Sequence, residues 1–203
     1  MKLLLAGPSP FVRKVLVVLE ETGQSDAVER ADVVAAPGGT AAELAAANPV
    51  GKIPALVRND GPTLYDSRVI CRFFDDRAGA GLYPARDPWA TLTLEATGDG
   101  LMEAAVSMIY ERRFRPAEIV SEDWIAAQWE KVARTLDALD SRWMGHLNGP
   151  LDIGQIAVGC ALGYLDFRHA DRDWRQGRDA LARWYAAFAQ RPSMQATIPA
   201  DPK

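Results

Sequence analysis

The stretch that decides the fold is Asn48-Pro49-Val50-Gly51-Lys52-Ile53-Pro54-Ala55-Leu56, answered shortly afterwards by Leu64-Tyr65-Asp66-Ser67. The first piece turns at Pro49 and Gly51 and enters a short apolar strand through Ile53-Pro54. A proline at a strand entry has no N–H for the ladder, so the backbone groups of Ile53 stay free to meet something else. An X-Pro bond is held cis for only about 0.5–1 kcal/mol, which puts a sharp cis bend at Pro54 within reach. The second piece ends a strand at Tyr65, and Asp66 is placed to cap a helix starting at Ser67. A helix start offers unpaired N–H groups and a positive dipole end, which suit a carboxylate. Together the two pieces fit a small peptide, with main-chain pairing at Ile53 and anion capture at Asp66-Ser67.

Upstream of this stretch, Lys2 to Ala6 reads as a short buried strand closed by Gly7-Pro8-Ser9-Pro10. Phe11, Val12, Val15, Leu16 and Leu19 then recur at helical spacing. Ser9 before Pro10 is a good helix start, because a proline at the first helical position needs no partner for an N–H. Val28 to Val34 predicts a second strand, and Ala41 to Ala47 an alanine-rich turn or helix. Ile53 to Arg58 predicts the third strand, Asn59-Asp60-Gly61 a hairpin turn, and Thr63 to Tyr65 a fourth strand. Asp66 to Arg77 completes the set as a helix with Val69, Ile70, Phe73 and Phe74 inward. This order is an α/β unit of thioredoxin-like type, and its hairpin makes the sheet mixed.

Downstream, Ala78-Gly79-Ala80-Gly81 breaks the helix, and the chain runs on through Leu82-Tyr83-Pro84 to Asp87-Pro88. The expected organisation is a first domain over 1–78, a linker over 79–88 and an all-helical domain over 89–203. Helices are predicted from Trp89 to about Arg113, from Ser121 to Trp143, and from Asp179 to Gln190. In the second of these, Ile125, Trp129, Val132, Leu136, Leu139 and Trp143 form one core stripe. Asp152-Ile153-Gly154-Gln155 opens a further helix as a capping box, a folding device. The tail from Ala196 to Lys203 is expected along the surface.

Composition narrows the function classes. The 203 residues carry 23 basic and 27 acidic side chains, a net charge of −4, which gives no basic footprint for nucleic acid. No apolar run approaches the roughly 20 residues that span a bilayer, and the apolar start Met1 to Ala6 is too short for a signal peptide. Cys71 and Cys160 lie far apart in apolar surroundings and read as buried free thiols of a reducing cytoplasm. His146 and His169 have no partner at metal-ligand spacing, so no metal site and no resident cofactor are expected.

Asn-Pro-x-Gly-Lys-x-Pro-x-Leu followed by an Asp-Ser helix start resembles the glutathione-binding half of the glutathione S-transferases. Ser9-Pro10-Phe11 followed by basic residues resembles the bacterial, serine-bearing members. The resemblance extends over nearly the whole chain, although the family's Ser/Thr-x-x-Asp box stands here as Asp152-x-x-Gln155. It implies a glutathione transferase of detoxification type, which joins the glutathione thiolate to an apolar electrophile. Ser9 would orient the thiolate, with Tyr65 and Tyr110 as other sources of a hydroxyl. Ile53 would pair with the glutathione main chain, while Asp66 and Ser67 would take its γ-glutamyl end. Lys52 would reach the glycyl carboxylate or be a solvated turn lysine; Phe11 would pack beside the thiol or fill the core. The electrophile would lie near Met102, Met108 and Tyr110. A homodimer is implied as well, with Arg68, Arg72, Glu95 and Asp99 offered as charges that pair across a two-fold axis. The other readings are a glutathione-binding regulatory protein without turnover, and a glutathione-dependent peroxidase or thiol reductase. The absence of a cysteine beside Ser9 lowers the last.

Overall fold

The computed structural model describes residues 1–201. The chain forms two compact units, one comprising Met1–Pro88 with the segment from Pro192 onward, the other Trp89–Arg191.

The first unit is built on β1 (Lys2–Leu5), whose three leucines are buried at 0%, 0% and 6% exposure. Such an all-apolar strand has to be covered on both faces, which makes it the central strand. The sheet order is β2-β1-β3, with β2 (Glu29–Asp32) parallel and β3 (Ala55–Val57) antiparallel to β1. Helix α1 (Pro10–Glu21) makes the crossover between the parallel pair and buries Val12, Val15, Val18 and Leu19. This mixed sheet with its helices is thioredoxin-like, and the helical unit follows it in the chain, as the sequence leads one to expect.

The strands are shorter than their sequence patterns. β2 stops at Asp32 because β1 offers only four residues to pair with; Glu29 N donates to Met1 O at one end and Val33 N to Leu5 O at the other. The predicted fourth strand shrinks to one bridge, in which Leu56 and Leu64 exchange hydrogen bonds of 2.8 and 2.9 Å. Pro62, lacking an N–H, leaves little of that segment to pair. Helix α2 (Ala42–Ala47) anchors itself on the sheet through the buried Leu44, which packs with Leu4 and Ala55.

Helix α3 (Ser67–Ala78) has its inward face at Ile70, Cys71, Phe74 and Asp75. Val69, expected inward, is 46% exposed, and Phe73 is only half-buried beneath the Arg58 guanidinium. The buried stripe is one position narrower than the apolar pattern: Val69 lies about 100° around the helix from Ile70. Buried Asp75 fastens the chain that leaves the unit, accepting from Leu82 N at 2.7 Å and Tyr83 N at 3.0 Å.

The tail departs from expectation as well. Residues 192–196 form the short helix α9 (Pro192–Ala196), which packs on α1 with Met194 wholly buried. Arg13 Nη2 donates to Met194 O at 3.1 Å, and Ser193 Oγ donates to the Glu21 carboxylate. The segment from Pro192 therefore belongs to the first unit rather than to the helical domain, while Ala196, Ile198, Ala200 and Asp201 are exposed along the surface as expected, with Thr197 buried among them. Pro202 and Lys203 lie outside the described residues.

The second unit contains α4 (Trp89–Phe114), α5 (Glu122–Arg142), α6 (Met144–Leu147), α7 (Ile153–Arg168) and α8 (Asp179–Phe188). Its principal packing is α4 against α7, which is buried along most of its length. The approach is close: a Cβ on Gly98 of α4 would stand 2.7 Å from the Ala157 carbonyl carbon of α7. The α5 stripe is core as read, with Ile125, Val132, Leu136 and Leu139 buried and both tryptophans half-buried.

Candidate functional site

Three chain segments meet at one end of the first unit's sheet, and register shows why. Ala55 pairs with Leu4, so the residues before β3 lie beside those after β1. Leu64 pairs antiparallel with Leu56, which carries Tyr65-Asp66 back toward Pro54 and Ile53. Ser9, Ile53 and Asp66-Ser67 thus gather past the carboxyl end of β1, the place where open α/β sheets collect ligands.

Ser9 caps α1 with extended backbone, its Oγ accepting from Val12 N at 3.3 Å. Its own amide donates to Ala6 O at 3.0 Å and its carbonyl accepts from Arg13 N at 3.0 Å. The cap uses a lone pair of the hydroxyl and leaves the O–H proton free to donate elsewhere. Pro10 has no N–H and Val12 N is taken by Ser9, so Phe11 N–H is the amide of the first turn left over. The Phe11 side chain is half-buried.

The second segment is a turn locked by Asn48, a residue for which sequence reasoning found no role. Asn48 is 2% exposed; its Nδ2 donates to Lys52 O at 2.7 Å and its Oδ1 accepts from Val50 N at 3.0 Å. The signal was the side-chain turn chemistry of an asparagine two residues before Val50. Gly51 takes φ +68, a left-handed conformation that L side chains seldom adopt. The Ile53–Pro54 peptide is cis. The backbone N–H and C=O of Ile53 make no hydrogen bond among the described residues. Lys52 is exposed, and its ammonium forms no ion pair among them.

The third segment holds Asp66 and Ser67, joined to Tyr65 by a cis peptide without a proline to signal it. Asp66 caps α3, accepting from Arg68 N at 2.9 Å, and Arg68 Nη2 stands 3.3 Å from its second oxygen. Ser67 Oγ lies 3.4 Å from Asp66 Oδ1, and the Ser67 side chain is buried. Burial pushes the Asp66 carboxyl up, yet the Arg68 side chain, the Arg68 amide and the charges of Arg68 and Lys14 outweigh it. The carboxyl is held below its usual range and stays ionised at neutral pH. The site is therefore bipolar: a carboxylate and helix-start donors at α3, a hydroxyl and a free amide at α1, and an unmet peptide edge between them.

Other candidate residues stand apart. Met102 and Met108 are fully buried core, at 0% and 1% exposure, so neither offers a surface to an electrophile. Tyr110, at 40% exposure, does. The charges proposed for a two-fold interface are spoken for: Arg72 pairs with Asp76 at 3.0 Å, Arg68 with Asp66, and Glu95 and Asp99 are buried. Among the described residues no cluster of His, Cys, Asp and Glu suits a metal ion, and no helix is long and apolar enough to cross a membrane.

Comparison with known proteins identifies the family. Residues 8–77 match the glutathione S-transferase N-terminal domain and residues 122–187 the glutathione S-transferase C-terminal domain. The uncharacterized GST-like protein YibF of Escherichia coli is 33% identical over 204 residues, with 98% of each chain covered. A glutathione transferase family member from Pseudomonas fluorescens, crystallised with glutathione, is 44% identical, with a TM-score of 0.95 and 98% of each chain covered. A crystal structure of a P. fluorescens family member with S-(propanoic acid)-glutathione gives 43% identity and a TM-score of 0.90, covering 98% of this chain and 100% of that one. With both halves matched and the likeness running the length of the chain, this protein belongs to the glutathione S-transferase family.

Proposed function

We propose that the chain binds glutathione on its first unit and transfers the thiolate to an electrophilic carbon. The observation that carries this reading is the convergence of Ser9, Ile53 and Asp66-Ser67 at one end of the sheet, each with a group left over after folding. The glutathione-bound relative from P. fluorescens supports it from outside.

Each leftover group has a counterpart on the tripeptide. The Asp66 carboxylate accepts from the γ-glutamyl ammonium, while the Ser67 hydroxyl and amide donate to the neighbouring carboxylate. Ile53 pairs with the cysteinyl main chain as an added strand would. Lys52 faces the glycyl carboxylate, and Phe11 packs beside the thiol. Ser9 O–H donates to the sulfur, with Phe11 N–H and the dipole of α1 adding to it. A free thiol of pKa about 8.5 is mostly protonated at pH 7. Each pKa unit removed by these donors is worth about 1.4 kcal/mol of thiolate stabilisation. The thiol proton goes to solvent, and sulfur then bonds to the electrophilic carbon. That carbon either expels a leaving group or, in an activated alkene, passes its electron pair to the next carbon, which takes a proton from water. The S-propanoic acid conjugate held by a relative fits the second route, because it is what an activated three-carbon acid would give.

The test separates binding from turnover. Titration with glutathione should give heat of binding and raise Tm by mass action, about 2.7 kcal/mol at 100-fold over Kd. No heat and no thermal shift at millimolar glutathione would remove the proposal. Turnover is then screened with aryl halides, epoxides, activated alkenes and hydroperoxides; binding without turnover on any of them would leave a glutathione-binding protein.

A further inference from the structure

The loop that presents Ser9 has little of its own to hold it. Pro8 and Pro10 bring no N–H, and the backbone bond within the loop is Ser9 N to Ala6 O at 3.0 Å. Further support comes from the other end of the chain. The segment from Pro192 packs on α1 in the same compact unit and is tied down at three places. At the far end of α1, Ser193 Oγ donates to the Glu21 carboxylate. Midway, Arg13 Nη2 donates to Met194 O at 3.1 Å. At the near end, Ala200 O comes so close to Gly7 that a Cβ there would stand 3.4 Å from it. Thr197 Oγ1, donating to Ser193 O at 2.8 Å, holds the chain together between these points.

Arg13 stands out among the ties. It is 6% exposed, its Nε is buried without an acceptor, and it forms no ion pair among the described residues. A guanidinium buried against a neutral carbonyl is a poor source of stability, because no counter-charge offsets its desolvation. What it fixes is position. The backbone of Arg13 closes the turn that Ser9 caps, its N–H donating to Ser9 O at 3.0 Å, while its side chain grips Met194. One residue thus joins the first turn of α1 to α9. Gly7, two residues before Ser9, meets the returning segment directly.

We propose that residues 192–201 act as a strap that sets the position of the Ser9 hydroxyl, with Arg13 as the positioning residue between them. The consequence for the thiolate rests on the glutathione reading above; the support of the turn does not. A segment that served packing alone would act on the stability of the whole unit and single out neither the turn nor the thiol.

Variants of the whole protein cut the ties one at a time. Arg13→Met removes the grip on Met194 O, and Arg13→Lys keeps a donor of shorter reach. A chain ending at Thr197 loses the contact with Gly7 but keeps the buried Ser193, Met194 and Thr197. Hydrogen exchange reads the turn without any ligand. The amides of Ser9, Val12 and Arg13 should exchange at least about tenfold faster in Arg13→Met and in the shortened chain, and those of β1 should not. Arg13→Lys should fall between. With glutathione bound, the ultraviolet absorbance of the thiolate across pH should show a raised thiol midpoint, with about threefold less thiolate below it. S-methylglutathione, which has no thiol to ionise, should bind all the proteins equally. Unchanged exchange at the turn, an unmoved thiol titration, or S-methylglutathione affinity that falls along with the thiolate would overturn the proposal. A parent whose turn loosens when the ties are cut, yet which binds no glutathione, would instead sink the transferase reading and leave the strap standing.

Discussion

Two aspartates cap helices in this chain by the same chemistry, and they differ in what remains after the cap is made. Asp152, at the start of α7, is 8% exposed, and both its carboxylate oxygens have partners. It accepts from Gln155 N at 3.0 Å, from Thr91 Oγ1 at 2.7 Å, and lies 2.6 Å from His146 Nε2, while Gln155 Oε1 accepts from Asp152 N. Asp66, at the start of α3, keeps half its side chain in solvent and meets chiefly its neighbour Arg68. A cap whose two oxygens both meet partners fixed by the fold serves folding. A cap with lone pairs to spare, next to an unpaired helix start, is where a charged ligand can be met.

The largest expected effect is on the saturated cap. Asp152→Ala removes the acceptor for Gln155 N and strands the Thr91 hydroxyl and an imidazole nitrogen in a buried setting. We expect a loss of about 3 kcal/mol, a cap plus the cost of unsatisfied buried groups. Denaturant unfolding measures it, and glutathione affinity of the folded fraction should not move. Asp152→Asn keeps the oxygen that caps and should recover part of the loss. A variant as stable as the parent would show that the two caps do not differ in kind.

Next comes the open cap. Asp66→Ala should lower stability by only about 1 kcal/mol, since water replaces most of what the exposed carboxylate gives. Its glutathione affinity should fall at least about tenfold, as expected for a lost charge-assisted hydrogen bond. Lys52→Ala, which removes one solvated charge, should cost less. The pH dependence has a definite sign. Because the folded carboxyl is held low, its contribution is fully present above the ordinary aspartate value near 3.9. It is lost only as pH falls through the lower folded value. Parent affinity should therefore hold from pH 7 down to about pH 5 as far as Asp66 is concerned. Equal affinities in the parent and both variants would empty the comparison.

The same distinction governs how much was legible in the sequence. The helix caps, the central apolar strand and the turn at Asn48-Pro49-Val50-Gly51 are local, because their residues lie within a few positions of their partners. Their elements accordingly fall where the pattern puts them. What escaped depends on distant pairings. β2 is cut short by the length of β1, and the fourth strand is reduced to one bridge across from Leu56. The return of α9 onto α1 rests on Arg13 reaching Met194, 181 positions away. In the site, Ser9, Asp66 and Ser67 could be named from cap chemistry alone. Asn48 carries a local signal too, an asparagine two residues before Val50, but that signal points to a turn and not to the clamp on the Lys52 carbonyl.

Ser9 lies between the two aspartates in kind, which makes its substitution the finest test of the comparison. Its Oγ accepts from Val12 N at 3.3 Å, a long bond for a cap, so Ser9→Ala should lower stability by about 1 kcal/mol or less. If the hydroxyl were only a cap, turnover per folded molecule would be untouched. Because the cap consumes a lone pair and leaves the proton, we expect the hydroxyl to donate to sulfur as well. Ser9→Ala should then raise the kinetic pKa of the bound thiol and slow turnover at neutral pH, with the rate recovering as pH climbs past the new value. Glutathione Kd should change less than turnover, because the binding mode proposed above puts the main grip on the tripeptide at Asp66, Ser67 and Ile53. Ser9→Thr retains both the oxygen and the proton and should keep most of the stability; its added methyl sits beside Phe11, so its rate reports how closely the sulfur approaches. The pH–rate profiles of the three proteins, measured beside their unfolding curves, decide the matter. A Ser9→Ala profile that overlays the parent would transfer thiolate stabilisation to Phe11 N–H and the dipole of α1, and Ser9 would join Asp152 as a cap and nothing more.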